Sequence, residues 1–188
     1  TRATKLVQEG GGDPVALGYR SNDMTVAVMS PLGTTATFEL PAAPLVLRAA
    51  DFGSGERDTL VSLDTDPPQQ LRVLRSNGPL WDEVQTLAMQ ESPGGESVKF
   101  EVSDLDKDGF DDLLATSARD CAGPDTSGCT ESVVQIWRGS AAAEPLTYLG
   151  EEAVGFGALV FAVADFNVDG FDDIVIARQA TQDLLFLE

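Results

Sequence analysis

Histidine is absent from the 188 residues. This excludes Ser-His-Asp and Cys-His catalysis, and with them the usual imidazole zinc site. Basic residues are scarce: 12 Lys and Arg stand against 31 Asp and Glu, for a formal charge of −19. A field of that sign repels phosphate backbones and anionic lipid, so neither nucleic acid nor a membrane surface is expected as a partner. Long hydrophobic runs are also missing. The longest, Ala158–Ala164, is about a third of what a membrane-spanning helix needs, so membrane insertion is not expected. The chain opens on Thr1 without a signal-peptide pattern, which reads as a processed or engineered end.

Cysteine occurs twice, in Arg119-Asp-Cys121-Ala-Gly-Pro-Asp-Thr-Ser-Gly-Cys129. The surrounding residues are turn formers, so the segment is expected to be an exposed loop. Two readings are open, a pair of free thiols or a Cys121–Cys129 disulfide. The disulfide is favoured; it would stabilise by roughly 2–3 kcal/mol and would place the protein in an oxidising compartment.

A repeat is present. Three segments align without gaps on an aspartate at 51, 104 and 165, a period of about fifty to sixty residues that marks a repeat architecture. Before each anchor the apolar residues alternate in one phase: Leu45, Leu47, Ala49; Val98, Phe100, Val102; Leu159, Phe161, Val163. Such alternation predicts a strand. After each loop the sequence predicts a second strand (Leu60–Leu63, Leu113–Thr116, Ile174–Ala177) and a third (Leu71–Leu74, Val133–Trp137, Leu184–Leu187). Two units add a fourth, at Glu83–Leu87 and Leu146–Leu149. The first forty residues read as a degenerate unit, with strands at Val15–Tyr19, Thr25–Met29 and Thr35–Phe38; Thr4–Val7 reads either as its first strand or as an outer strand completing a different unit. No long amphipathic helix is predicted, so the expected class is all-β. Its units are approximately 1–43, 44–92, 93–152 and an incomplete 153–188.

The loops carry the chemistry. In Asp104-Leu-Asp106-Lys-Asp108-Gly109-Phe110-Asp111-Asp112, carboxylates at positions 1, 3, 5 and 9 can converge if the chain turns sharply at position 6. Gly109 permits that turn. The Phe110 carbonyl then adds another oxygen. An all-oxygen shell with several carboxylates suits a hard, large, tolerant cation, which points to Ca2+ rather than magnesium. The second loop repeats the arrangement with Asp165, Asn167, Asp169, Gly170, the Phe171 carbonyl and Asp173. Its one amide leaves it fewer charges, so weaker binding is expected there. Neither loop is an EF-hand, because position 12 is Ala115 or Ile176 inside an apolar strand rather than a glutamate on a helix. The copy from Asp51 to Thr59 lacks ligands at positions 3 and 5, and is expected to be a metal-free turn. The position-8 aspartates, Asp58, Asp111 and Asp172, are expected to bond loop backbone rather than metal.

A strand, then Asp-x-Asp/Asn-x-Asp-Gly-x-x-Asp, then a short apolar strand resembles the FG-GAP/VCBS repeat of integrin α-subunits and many bacterial extracellular proteins. Gly-Phe-Asp-Asp-Leu-Leu and Gly-Phe-Asp-Asp-Ile-Val carry the likeness, together with Val134-Gln-Ile-Trp137-Arg-Gly139. It covers residues 45–188 well and 1–44 weakly. The resemblance implies a single β-propeller-like domain over 1–188, with four-stranded antiparallel blades and structural calcium between the first two strands of a blade. Seven blades at this spacing would take roughly 400 residues. About four units therefore imply a small ring, a share of a larger or oligomeric one, or a fragment, with homo-oligomerisation or association with further blades expected.

The function expected from this is a secreted, extracellular, cell-surface or periplasmic module. It would bind a protein ligand in adhesion, with calcium bracing the fold and no enzymatic activity. The alternatives are a carbohydrate-binding propeller, for which Trp81, Trp137, Tyr19 and Tyr148 are the available aromatics, and an accessory domain of a secreted enzyme.

Overall fold

The protein is all-β. The computed structural model describes residues 2–7, 15–19, 25–29, 35–40, 44–53, 59–64, 70–77, 80–88, 99–120, 130–155, 158–178 and 181–187. Within them lie fifteen strands and no helix. Cys121 and Cys129, and with them the expected disulfide, fall outside the described residues.

The strands form antiparallel meanders, in which each strand pairs with the next in sequence. The first sheet runs β1 (Arg2–Val7), β2 (Val15–Tyr19), β3 (Thr25–Met29), β4 (Thr35–Glu39). The second runs β5 (Pro44–Ala50), β6 (Thr59–Asp64), β7 (Gln70–Asn77), β8 (Leu80–Ala88). The third runs β9 (Lys99–Ser103), β10 (Asp112–Asp120), β11 (Thr130–Arg138), β12 (Thr147–Gly155). The fourth has three strands, β13 (Ala158–Ala164), β14 (Asp173–Arg178) and β15 (Asp183–Leu187). Several strands run past their expected bounds, among them β7, β8, β10 and β11, and β12 does so furthest. β12 continues past Leu149 through Gly-Glu-Glu-Ala-Val-Gly, which shows no apolar alternation, because an edge strand can be held by its backbone ladder to β11 alone.

The chain divides into two compact units, residues 1–89 with 141–145 and residues 90–140 with 146–188. In the first, the second sheet packs Leu47, Ala49, Leu60 and Leu74 onto Val26 and Leu40, with Trp81 against the cluster. Leu47 and Ala49 are two apart on β5, and that period is what sets one face of a strand toward the core. All of β6 is buried, as its nearly continuous Thr-Leu-Val-Ser-Leu run requires.

Arg72 ties three strands of this sheet together. Its Nε donates to Asp64 on β6 at 2.6 Å, and its Nη1 pairs with Glu83 on β8. Burial disfavours the charge on Arg72, but hydrogen bonds and attraction from Asp64 and Glu83 outweigh it and raise its pKa. Burial likewise works to raise Glu83, yet the Thr86 hydroxyl and Arg72 win and lower it below its ordinary 4.5. A carboxylate lowered in the folded state contributes stability above its unfolded pKa and loses it as pH falls through the folded value. The first unit is therefore expected to weaken below about pH 4.5, and Arg72→Ala should flatten that acid limb by about 1 kcal/mol in urea titrations.

The second unit has its own core. Leu114, Val134 and Val154 of the third sheet meet Phe161, Ile174 and Ile176 of the fourth, with Leu105, Ile136, Val163, Leu185 and Leu187 around them. Burying each of these large side chains is worth about 1.5–3 kcal/mol. Both acidic loops belong to this unit, and this core holds the strands on either side of each.

Candidate metal centre

Strand register defines the loops. The last pairs before the turns are Ala50–Thr59, Ser103–Asp112 and Ala164–Asp173. Loops 51–58, 104–111 and 165–172 are thus of equal length, and the repeat seen in sequence is a repeat of hairpins. The two complete loops also share a backbone path. Position 4 has positive φ in both (Lys107 58°, Val168 64°), as does position 6 (Gly109 92°, Gly170 96°). A Cβ at either glycine would meet nothing within 4 Å, so glycine is required there by its dihedrals and not by space. Val168 is β-branched and strained at its angle.

In the first loop the carboxylates of Asp104, Asp106 and Asp108 come together. One oxygen from each lies within 4.8 Å of the others, an arrangement able to hold a metal ion. Asp104 Oδ2 accepts the Gly109 N–H at 3.1 Å, which folds the loop over its first residue. Asp106 Oδ1 accepts from the Asp108 N–H and Asp108 Oδ1 from the Phe110 N–H. Asp104 Oδ1 is buried, and no donor among the described residues reaches it. A buried carboxylate oxygen with no donor is costly, and a cation is the partner that suits it.

Asp112 is not one of these three. It is the first residue of β10, buried, and its two oxygens accept the Leu105 N–H at 3.0 Å and the Gly139 N–H at 2.8 Å. Burial raises its pKa, and the nearby charges of Asp106 and Asp108 add to the rise against the pull of those two donors. Asp108 is held low, first by the Phe110 N–H and then by Arg138. Phe110 is half-buried at the loop's end.

The second loop is tied by the same kind of bonds. Asp165 accepts from the Asp169 and Gly170 N–H groups, Asn167 Oδ1 from Asp169, and Asp169 Oδ1 from Phe171. Asp173 repeats Asp112: it is buried at the start of β14 and accepts the Phe166 and Asn167 N–H groups. Asn167 turns its amide nitrogen toward Asp169 (3.0 Å) and Asp173 (3.4 Å). Among the described residues, Asp165, Asp169 and Asp173 form no carboxylate group as close as the first loop's. Phe171 is exposed. In the degenerate copy, Asp51 accepts the Gly53 N–H at 2.9 Å, so the opening turn persists where the ligand residues do not.

Three participants are not apparent in the motif. Arg138, at the end of β11, places Nη2 2.9 Å from Asp106 and 2.8 Å from Asp108. The pairing of Leu113 with Trp137 brings the next residue, Arg138, to the loop's mouth, so hairpin register was the available signal. Ser103 at the end of β9 and Lys107 of the first loop both donate to Asp172 of the second, Lys107 at 3.3 Å. Position 8 was expected to bond loop backbone. In Asp172 it reaches side chains of the neighbouring loop instead, because the packing of the two sheets brings a cation within range.

Compared with models of known protein families, and with the sequences of curated proteins, the chain matches none.

Proposed function

We propose that this protein is a calcium-braced, propeller-type repeat protein of the extracellular space, acting as a non-enzymatic binding module. The observation that carries the reading is the first loop: three carboxylates within 4.8 Å of one another around a buried Asp104 oxygen that no described donor reaches. Asp104, Asp106 and Asp108 would hold the ion, with the Phe110 carbonyl and Asp112 completing an oxygen shell. The second loop would use Asp165, Asn167, Asp169, the Phe171 carbonyl and Asp173. The matching backbone path and its resemblance to FG-GAP/VCBS loops support a second site. Millimolar affinity would suffice outside the cell. The ion's role is structural: it offsets repulsion among clustered carboxylates and locks the β9–β10 and β13–β14 turns. Titration calorimetry tests the metal. Calcium should give saturable heat where magnesium gives little, and no heat with calcium would end the reading.

Arg138 offers a sharper test. Its guanidinium sits on the same Asp106 and Asp108 oxygens an ion would use, so the two cations compete. Solvent screens an exposed ion pair, so Arg138 is a weak competitor. Arg138→Gln should therefore tighten calcium binding at the first loop by up to about fivefold and leave the second unchanged.

The carbohydrate reading has less support. Trp137 is 4% exposed and Trp81 packs on the first unit's core, which leaves Tyr148, tilted against Trp137 at 5.6 Å, as the exposed aromatic among the described candidates. Binding across a glycan array would favour it over a protein ligand.

A further inference from the structure

Asp172 reaches out of its own loop. Its Oδ2 accepts the Ser103 hydroxyl, and its Oδ1 accepts the Lys107 ammonium at 3.3 Å. Both donors belong to the frame of the first loop. Ser103 pairs with Asp112 and directly precedes Asp104, while Lys107 stands between Asp106 and Asp108. Asp172 in turn lies between Phe171 and Asp173. The Phe171 N–H fixes Asp169, and the Asp173 carboxylate holds the Phe166 and Asn167 N–H groups. One carboxylate therefore joins the frames of both loops. It does so inside a single compact unit, in which β9 and β13, the strands that lead into the loops, touch.

The joint is built from residues the second loop does not repeat. In that loop the positions of Ser103 and Lys107 are taken by Ala164 and Val168, whose side chains have no donor. The Asp172 side chain is 20% exposed, and a partly buried contact is screened less than an exposed one. The Ser103 hydroxyl stands one side-chain torsion from the backbone, so the end of β9 and Asp172 are held in step.

We infer that Asp172 is a positioning residue that couples the two metal loops, so that calcium in the first raises the affinity of the second. The inference rests on the calcium reading above. An ion gripped by Asp104, Asp106 and Asp108 fixes the backbone between them, and with it the Ser103 hydroxyl and the Lys107 ammonium. These hold Asp172, and through it the Phe171 and Asp173 groups on either side. The second loop then binds with part of its ordering already done, and a site with less freedom to lose binds more tightly. Repulsion between two dications opposes the effect, and solvent screens it. Linkage makes the coupling reciprocal: calcium in the second loop tightens the first by the same factor.

Calorimetric titration of the full chain with calcium chloride tests it. Asp108→Ala empties the first loop, so the second loop's Kd in that protein, set against wild type, reads the coupling. The expected result is a Kd about fivefold weaker in Asp108→Ala, at the low end of coupling between sites. In an Asp172→Ala background the same comparison should show no difference. Ser103→Ala with Lys107→Gln alters nothing in the second loop and should abolish the difference too, which keeps the test open if Asp172→Ala does not fold. Hydrogen exchange gives a second readout. In Asp169→Ala, whose second loop is empty, calcium should slow the Phe166 and Asn167 amides, and should no longer do so once Ser103 and Lys107 are replaced. Calcium binding at both loops, with the same second-loop Kd in wild type and Asp108→Ala, overturns the coupling and leaves the calcium reading standing. A difference that survives the substitutions overturns the role of Asp172. No calcium heat in any of the proteins overturns the calcium reading and the coupling with it.

Discussion

Adding excess calcium to the chelated protein should raise the melting temperature of the second unit by about 20 °C and leave that of the first almost unchanged. The size follows from mass action. An ion that binds only the folded state at a hundred times its Kd stabilises by about 2.7 kcal/mol per site, so two sites give about 5 kcal/mol. In a domain of this size each kcal/mol moves the midpoint by about 4–8 °C, so even partial occupancy gives a large shift. The selectivity follows from position. Both complete loops lie in the unit of residues 90–140 and 146–188, whereas in the first unit Asp51 retains its turn without the ligand residues. Differential scanning calorimetry with calcium and with chelator reads both transitions. Equal shifts of both, or none, would contradict the assignment.

Asp112→Ala should destabilise the second unit by about 3–5 kcal/mol even with chelator present. Asp112 is 4% exposed, and its two oxygens take the N–H groups of Leu105, at the loop's start, and Gly139, beyond β11. Deleting the carboxylate strands both donors, at about 1–3 kcal/mol each. Asp112→Asn keeps one acceptor oxygen and should cost roughly half as much. Urea unfolding under chelation separates this structural cost from lost metal. If the loss appears only when calcium is present, Asp112 acts through the ion alone.

Much of the fold was legible because strands announce themselves by period. Leu47 and Ala49 alternate in sequence and both lie in one core; Phe161 and Val163 do the same in the other. The extension of β12 to Gly155 was not legible, since backbone pairing to an adjacent strand leaves no mark in Gly-Glu-Glu-Ala. At the site, the spacing of Asp104, Asp106 and Asp108 identified residues that do converge. The ninth position carries a second message beside the one read in it: Asp112 and Asp173 open β10 and β14 and hold backbone donors across the loop. Arg138, Ser103 and Lys107 were invisible because their roles depend on which strand lies beside which, a fact of pairing and packing rather than of local pattern.

Calcium retained after equilibrium dialysis, counted by elemental analysis, addresses the central claim most directly. The account expects two ions per wild-type chain, one in Asp108→Ala and one in Asp169→Ala. Wild-type protein that retains none, or substituted proteins that retain as many as wild type, would contradict it.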